Sequence, residues 1–329
     1  LLLCALSILF SYKVGLFNIG AAGQYCAGAC AALYAALAWN MPWYVCILLG
    51  MLAGALLGML AGALRTLFNV NVVISGIMLN WITLYLTNLV LGTVKNPTSP
   101  YTKTLQSTNP GALIPSLGLE KLFNNEKSVT IAIPIAVLTA VLVWVVLNKT
   151  KFGYELKATG SNYNAAKYCG MKENQNIILT MVIAGALAGF GAGLLYLTGI
   201  EDWETTISSV PGMGFNGIPV ALLAVNNPIA VIFTGIFMAM LDIVGMQLTN
   251  LTAYNEYITD VIISVIVYLS AFSLVIRMML TGRKKHKAVV TETATTADVP
   301  AEAAAQSLDA PEEPSPDTDA DTEKGGEEA

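Results

Sequence analysis

Asn18, Gln24 and Asn80 are neutral amides set in otherwise apolar segments of a 329-residue chain. Each can donate and accept hydrogen bonds without carrying charge, which suits hydroxyl-rich or nucleobase ligands. The same groups can also tie one membrane helix to another. Asp242 and Asp260 are carboxylates at or inside the ends of apolar segments, and an intramembrane carboxylate is a functional candidate by default. Asp260 stands two residues into its segment, where it would complement a helix dipole; Asp242 is deeper, and proton coupling is the chemistry it could support. No GxxxxGKS/T loop, HExxH, GxSxG or paired-carboxylate spacing occurs, so no catalytic residue and no ATP site of its own is expected. The five cysteines make no disulfide framework: Cys4, Cys26, Cys30 and Cys46 lie in apolar runs and Cys169 in a lysine-rich loop. The one histidine, His286, sits in a basic cluster away from them, and no metal site is expected.

The elements that must position these residues are membrane helices. Residues AVILMFWYC make up 55% of the chain and charged residues 12%, with a mean hydropathy of +0.63. A water-facing surface needs about a quarter charged residues. A spanning helix takes about 20 mainly apolar residues. The sequence offers 1–12, 18–38, 43–64, 72–94, 129–147, 176–198, 213–225, 228–248 and 258–276. The expected fold is therefore all-α and polytopic with about nine membrane segments, the first partial and the seventh short or discontinuous. The chain opens at Leu1 without a Met, inside an apolar run, and reads as starting within or just before a span.

Charge is segregated along the chain. Residues 288–329 hold twelve of the 22 acids and one of the 17 bases, leaving 1–287 with sixteen bases against ten acids although the whole chain is −5. That Ala-, Thr-, Pro- and acid-rich tail cannot bury enough apolar surface to offset its chain entropy, and disorder is expected there. Alternating the segments across a membrane collects Lys13, Arg65, the five lysines from Lys149 to Lys172 and the bases from Arg277 to Lys287 on one side. The other side receives only Lys95, Lys103, Lys121 and Lys127, with Glu120, Glu126, Glu201, Asp202, Glu204 and Glu256. The positive-inside rule makes the first side, with the C-terminus, cytosolic. A multipass protein of the cell membrane is expected. The basic run 283–287 is expected to anchor the last helix in the cytosolic interface, with binding of anionic lipid as the alternative, and no nucleic-acid partner is implied. This layout requires 213–225 to count as a crossing, although 13 helical residues rise about 20 Å against a hydrocarbon core of roughly 30 Å.

Two segments carry small-residue ladders: Gly50, Gly54, Gly58 and Gly62, and Gly185, Gly189 and Gly193. Spacing of four puts each set on one helix face for close backbone approach, within the subunit or at a seam between subunits. GLFNIGAAGQ (15–24) breaks a helix at the entrance of a span, VISGIMLN (73–80) buries an amide, and GMGFNGIPVALLA (212–224) opens the short segment with Gly. Between 148 and 175 runs a lysine-rich connector, in which Ser161 or Asn162 would cap a short helix through Tyr168 ended by Gly170.

Four motifs in this order, GLFNIGAAGQ, VISGIMLN, GYELKATGSNYNAAKYCGM and GFNGIPVALLA, resemble the permease subunits of ABC importers. The branch they resemble is the one related to branched-chain amino acid and ribose permeases that serves nucleosides and simple sugars. The resemblance covers residues 13 to about 277. It implies a permease domain over 1–287, with 148–175 as a cytosolic coupling loop and 288–329 as an appended acidic tail. It also implies three partners: cytosolic ABC ATPase subunits, a second permease subunit of the same or a related chain, and an extracytoplasmic solute-binding protein. No cofactor is implied in this chain, ATP and Mg belonging to the partner ATPase.

Carried over, Gly153, Glu155, Leu156, Ala158, Gly160, Asn162, Ala165 and Ala166 match the segment that seats in the ATPase and passes its closure to the membrane. Glycines at both ends of it would permit sharp entry and exit. Asn18, Gln24, Asn80, Phe215 and Asn216 are the implied pathway residues. Family members often carry acids where this chain has Ala22 and Asn216. The expected function is thus translocation of nucleosides or simple sugars by alternating access, with no covalent chemistry in this chain. The alternatives are a branched-chain amino acid permease, a secondary transporter energised through Asp242, and a membrane scaffold that docks a cytosolic protein without transport. A zwitterionic amino acid would want fixed charges where the pathway segments offer amides.

Overall fold

The structure, a computed structural model, describes residues 1–123, 129–251, 258, 261–266, 268, 269 and 272. Eleven α-helices run through them: α1 (Leu2–Tyr12), α2 (Ala21–Leu37), α3 (Trp43–Phe68), α4 (Val72–Leu91), α5 (Leu105–Thr108), α6 (Ala132–Lys149), α7 (Lys151–Ser161), α8 (Tyr163–Tyr168), α9 (Glu173–Tyr196), α10 (Gly212–Leu223) and α11 (Pro228–Leu251). Among the described residues there is no strand, only isolated bridges joining Lys95 to Thr102 and Tyr101 to Glu204.

The all-α membrane architecture is as expected. Among the described residues, α3, α4, α6, α9 and α11 are each long and apolar enough to cross a membrane. The count of nine spans is not reproduced helix for helix. Apolar α1 and α10 have only 11 and 12 residues. The segment expected from 18 starts as a helix only at Ala21, because Gly15 turns with φ +76 and residues 16–20 stay non-helical. Of the expected segment 258–276 only scattered positions are described, and Asp260, the basic run 283–287 and the tail 288–329 lie outside the described residues.

Helix α2 forms the middle of the core. Its sequence AAGQYCAGACAALYAAL is small-residue-rich, and it packs against α3, α4, α9 and α10, with Ala22, Tyr25, Cys26, Ala29, Ala32 and Ala36 all buried. Beside it the two glycine ladders face each other across α3 and α9. A methyl group added to Gly54 would fall on the carbonyl oxygen of Gly185, and one added to Gly185 on that of Gly54. A methyl group added to Gly189 would likewise fall on the Gly50 carbonyl oxygen, while one on Gly50 would press first on the Gly28 carbonyl oxygen of α2. The ladders therefore pack within one chain. Between membrane helices, where lipid is as apolar as leucine, such backbone proximity rather than apolar burial drives association. On the outward face of α3, Leu48, Leu52 and Leu56 are exposed, as are Ile74, Met78 and Ile82 on α4.

Tight turns fix the helix pairs. Asn69 ends α3 in the left-handed region, and the Asn71 side chain then caps α4 by accepting from the Val73 N–H at 2.9 Å. After the 12-residue α10, Val225 and Asn226 reverse the chain with φ of 51° and 53°. The Asn227 carboxamide then accepts from the Ile229 N–H at 3.1 Å, starting α11.

Candidate functional site

Residues 13–20 form an elbow between α1 and α2, and the predicted amides hold it. Asn18 Nδ2 donates to Gln24 Oε1 at 2.9 Å and lies 3.4 Å from Ser7 Oγ on α1. Asn80, reaching across from α4, accepts from the Gly23 N–H at 2.7 Å and donates to the Ile19 carbonyl at 3.1 Å. Gly23 is the third residue of α2, so its N–H is one of the donors a helix start leaves unmatched. Asn80 thus caps α2 from a different helix. This close seat needs Gly76 opposite Gly20: a methyl group on Gly76 would stand 2.9 Å from the Gly20 nitrogen. Asn18, Gln24 and Asn80 are all buried, and their hydrogen bonds are spent on one another and on the main chain.

At the same end of the bundle, the short helix expected in the connector forms as α8, capped by Asn162 and running through Tyr168, and a further helix, α7, precedes it. Thr150 caps α7 through the Gly153 N–H, and Asn162 caps α8 through the Ala165 N–H. Gly153 and Gly160 do not mark sharp entry and exit points of the connector; both lie inside α7 and act by permitting contact. Gly153 leaves no room for a side chain against the Val146 and Leu147 carbonyls of α6, and Gly160 none against the Lys13 carbonyl and Val14. Gly170 does provide the exit, at φ +76. Leu156 and Ala166 are buried, Ala158 and Glu155 half-buried, and Ala165 exposed. Glu155 pairs with Lys151 at 3.7 Å. Asn176, at the start of α9, donates to Thr159 Oγ at 3.3 Å. The short helix α7 is thereby fastened to α1, α6 and α9. Burial and the neighbouring Lys157 ammonium lower the Lys13 pKa below the ordinary lysine value.

The far end of α9 opens into a cavity of about 990 Å³. Tyr25 and Tyr196 line it, together with residues 200–204 and 207 of the connector at its rim, Met213 and Asn216 from α10 and Asp242 from α11. Tyr25, Tyr196 and Trp203 make a continuous aromatic run, with ring centroids 6.2 and 5.6 Å apart. The rim is pinned: Trp203 Nε1 donates to Asn88 Oδ1 at 3.0 Å, and the Thr102 N–H donates to the Trp203 carbonyl at 2.9 Å. Burial raises the carboxyl pKa of Asp202. Of the predicted pathway residues, Asn216 lines this cavity, Phe215 beside it is 37% exposed, and the three buried amides do not line it. The sequence reading missed Tyr25, Tyr196 and Trp203, since aromatics near span ends are also what membrane interfaces select.

The comparison with known families settles the class. The model for the branched-chain amino acid transport system / permease component family matches residues 1–271. The chain belongs to this family. The permease is 32% identical over 288 residues to the guanosine ABC transporter permease protein NupP of Bacillus subtilis, a match covering 86% of this chain and 81% of that protein. It is 33% identical over 296 residues to the nucleoside ABC transporter permease protein NupB of Lactococcus lactis, covering 88% and 80%. Against the glucose ABC transporter permease protein TsgB13 of Haloferax volcanii the identity is 30% over 256 residues, covering 74% and 66%. No solved structure matches the permease significantly.

Proposed function

We propose that this chain is the membrane-spanning permease subunit of an ABC importer that moves nucleosides, or a simple sugar, by alternating access. The observation that carries the reading is the similarity over most of the chain to permeases named for guanosine and nucleosides, with a glucose permease also similar. ATP hydrolysis then belongs to separate cytosolic subunits, which also hold ATP and Mg, and a binding protein delivers the solute from outside. A second permease chain, identical or related, completes the path. In this reading α7 and α8 face the cytosol and receive the ATPase, through Glu155, Asn162 and the exposed Ala165. The C-terminus lies on that same side, 1–287 is the permease domain, and 288–329 is an appendage dispensable for transport.

The geometry that supports a coupling role is the fastening of α7. Its Gly160 touches the main chain at Lys13, where the elbow toward α2 begins. A rigid push on α7 reaches α2 without crossing a flexible side chain. Reconstitution with ATPase and binding-protein subunits, followed by uptake of labelled guanosine with and without ATP, tests the reading. ATP-dependent uptake that Gly160→Trp abolishes is the expected result. Uptake that ignores ATP and survives Gly160→Trp would overturn it and move the energy source to an ion gradient.

A further inference from the structure

The cavity between α2, α9, α10 and α11 has features that packing alone does not require. Tyr25 is 2% exposed, and its hydroxyl makes no well-formed hydrogen bond among the described residues, the Tyr196 hydroxyl lying nearby but outside that geometry. A buried phenol in that state forfeits a bond that a ligand could restore. Tyr101 at the mouth keeps 45% of its surface exposed, enough for a planar ring to stack on it. The exposed amide of Asn216 and the carboxylate of Asp242 also line the cavity, with Glu201 and Glu204 from the connector. No lysine or arginine is among the described lining residues. The volume, about 990 Å³, is at the upper end of the 300–1,000 Å³ range of small-molecule sites, so a nucleoside would enter with water around it.

We propose that this cavity is a nucleoside-holding site within the permease itself, with Tyr25 bonded to the solute and the acidic wall excluding phosphorylated nucleotides. The inference rests on the nucleoside reading above and adds a location and a selectivity to it. Carboxylates accept from ribose hydroxyls, Asn216 can both donate to and accept from a base edge, and the Tyr25 hydroxyl can do either. A phosphate brought beside Glu201 and Glu204 meets like charge, and no lysine or arginine is among the described lining residues to offset it. Selection against nucleotides is thus built into the membrane path as well as into any delivering protein.

The test uses the complete transporter in proteoliposomes, with Ile200→Cys placed at the rim on a Cys169→Ser background. A membrane-impermeant thiol reagent is applied with adenosine, with adenosine monophosphate, or with neither. Adenosine at about ten times its Kd is expected to slow modification about ten-fold, and the monophosphate to leave it unchanged. Adding Tyr25→Phe should raise the adenosine concentration for half-protection about five-fold. Nucleoside uptake that proceeds while adenosine gives no protection would overturn the site alone. Equal protection by the monophosphate would overturn the exclusion. A wild-type complex that takes up no nucleoside would overturn the solute class on which the site stands.

Discussion

Gly160 of α7 lies directly on the main chain of Lys13 at the end of α1, with no space between them for a side chain. Gly15, two residues further on, has its missing Cβ position 3.4 Å from the Gly160 carbonyl. The connector helix and the elbow leading into α2 therefore meet backbone to backbone. Helix α2 in turn carries Tyr25 into the cavity near the other end of α9.

Gly160→Val is expected to separate ATP hydrolysis from transport. The added carbons would force α7 off α1, an overpacking that costs about 1–3 kcal/mol in a tight contact. ATPase activity of the assembled complex should persist while solute uptake falls about ten-fold. Parallel measurement of both rates decides it, and a loss of neither would mean that α7 moves independently of α1.

Replacing Asn80 by leucine should loosen the elbow. The Gly23 N–H and the Ile19 carbonyl would each lose their bond to the side chain, and a buried group left unmatched costs about 1–3 kcal/mol. Thermal unfolding in detergent should show a clear drop for Asn80→Leu. Ile77→Leu, at an exposed position of the same helix, should leave the midpoint almost unmoved.

The facing glycine ladders predict a steep size dependence. Gly54→Ala already places a methyl group on the Gly185 carbonyl, and Gly54→Leu requires α3 and α9 to part. Stability should fall in the order Gly, Ala, Leu, by about 1–3 kcal/mol at the first step. A leucine variant melting at the wild-type temperature would show that the ladders are not in contact.

Asp202 gives a pH dependence of definite sign. Its folded pKa is raised by burial, so the folded state holds that proton to higher pH than the unfolded chain does. Its contribution to stability is therefore greatest below the unfolded aspartate value and is lost as pH rises through the folded one. Asp202→Asn should flatten the decline in melting temperature over that window. An unchanged slope would mean that another group sets it.

The helical class and most segment positions were readable because apolar runs of spanning length leave lipid few alternatives. The break before α2 was readable too, from the three glycines Gly15, Gly20 and Gly23. Which helices touch was not. The ladders of α3 and α9 each announce a close contact, but nothing in either ladder says that the other one is opposite. Asn80 looked like a pathway residue because its type fits a solute, whereas its partners, Gly23 and Ile19, lie 57 and 61 positions earlier in the chain. Tyr25 was hidden for a related reason: a buried tyrosine matters here through what its hydroxyl lacks, and sequence records only that the hydroxyl exists.

The capping of α2 by α4 also sets an order for biogenesis. When α2 leaves the ribosome it is a 17-residue helix with an uncapped start and amides at Asn18 and Gln24. Until α4 arrives, the Gly23 N–H lacks the side-chain acceptor it has in the finished fold. The residue that completes it, Asn80, is synthesised more than fifty positions later, after the whole of α3. The elbow before α2 is therefore expected to set only once α4 has arrived, so that α2 to α4 reach their final packing as one unit. In a nascent chain arrested before α4 has left the ribosome, the elbow before α2 should stay accessible to a water-borne thiol reagent at a cysteine placed there, and in one extended well past α4 it should be protected.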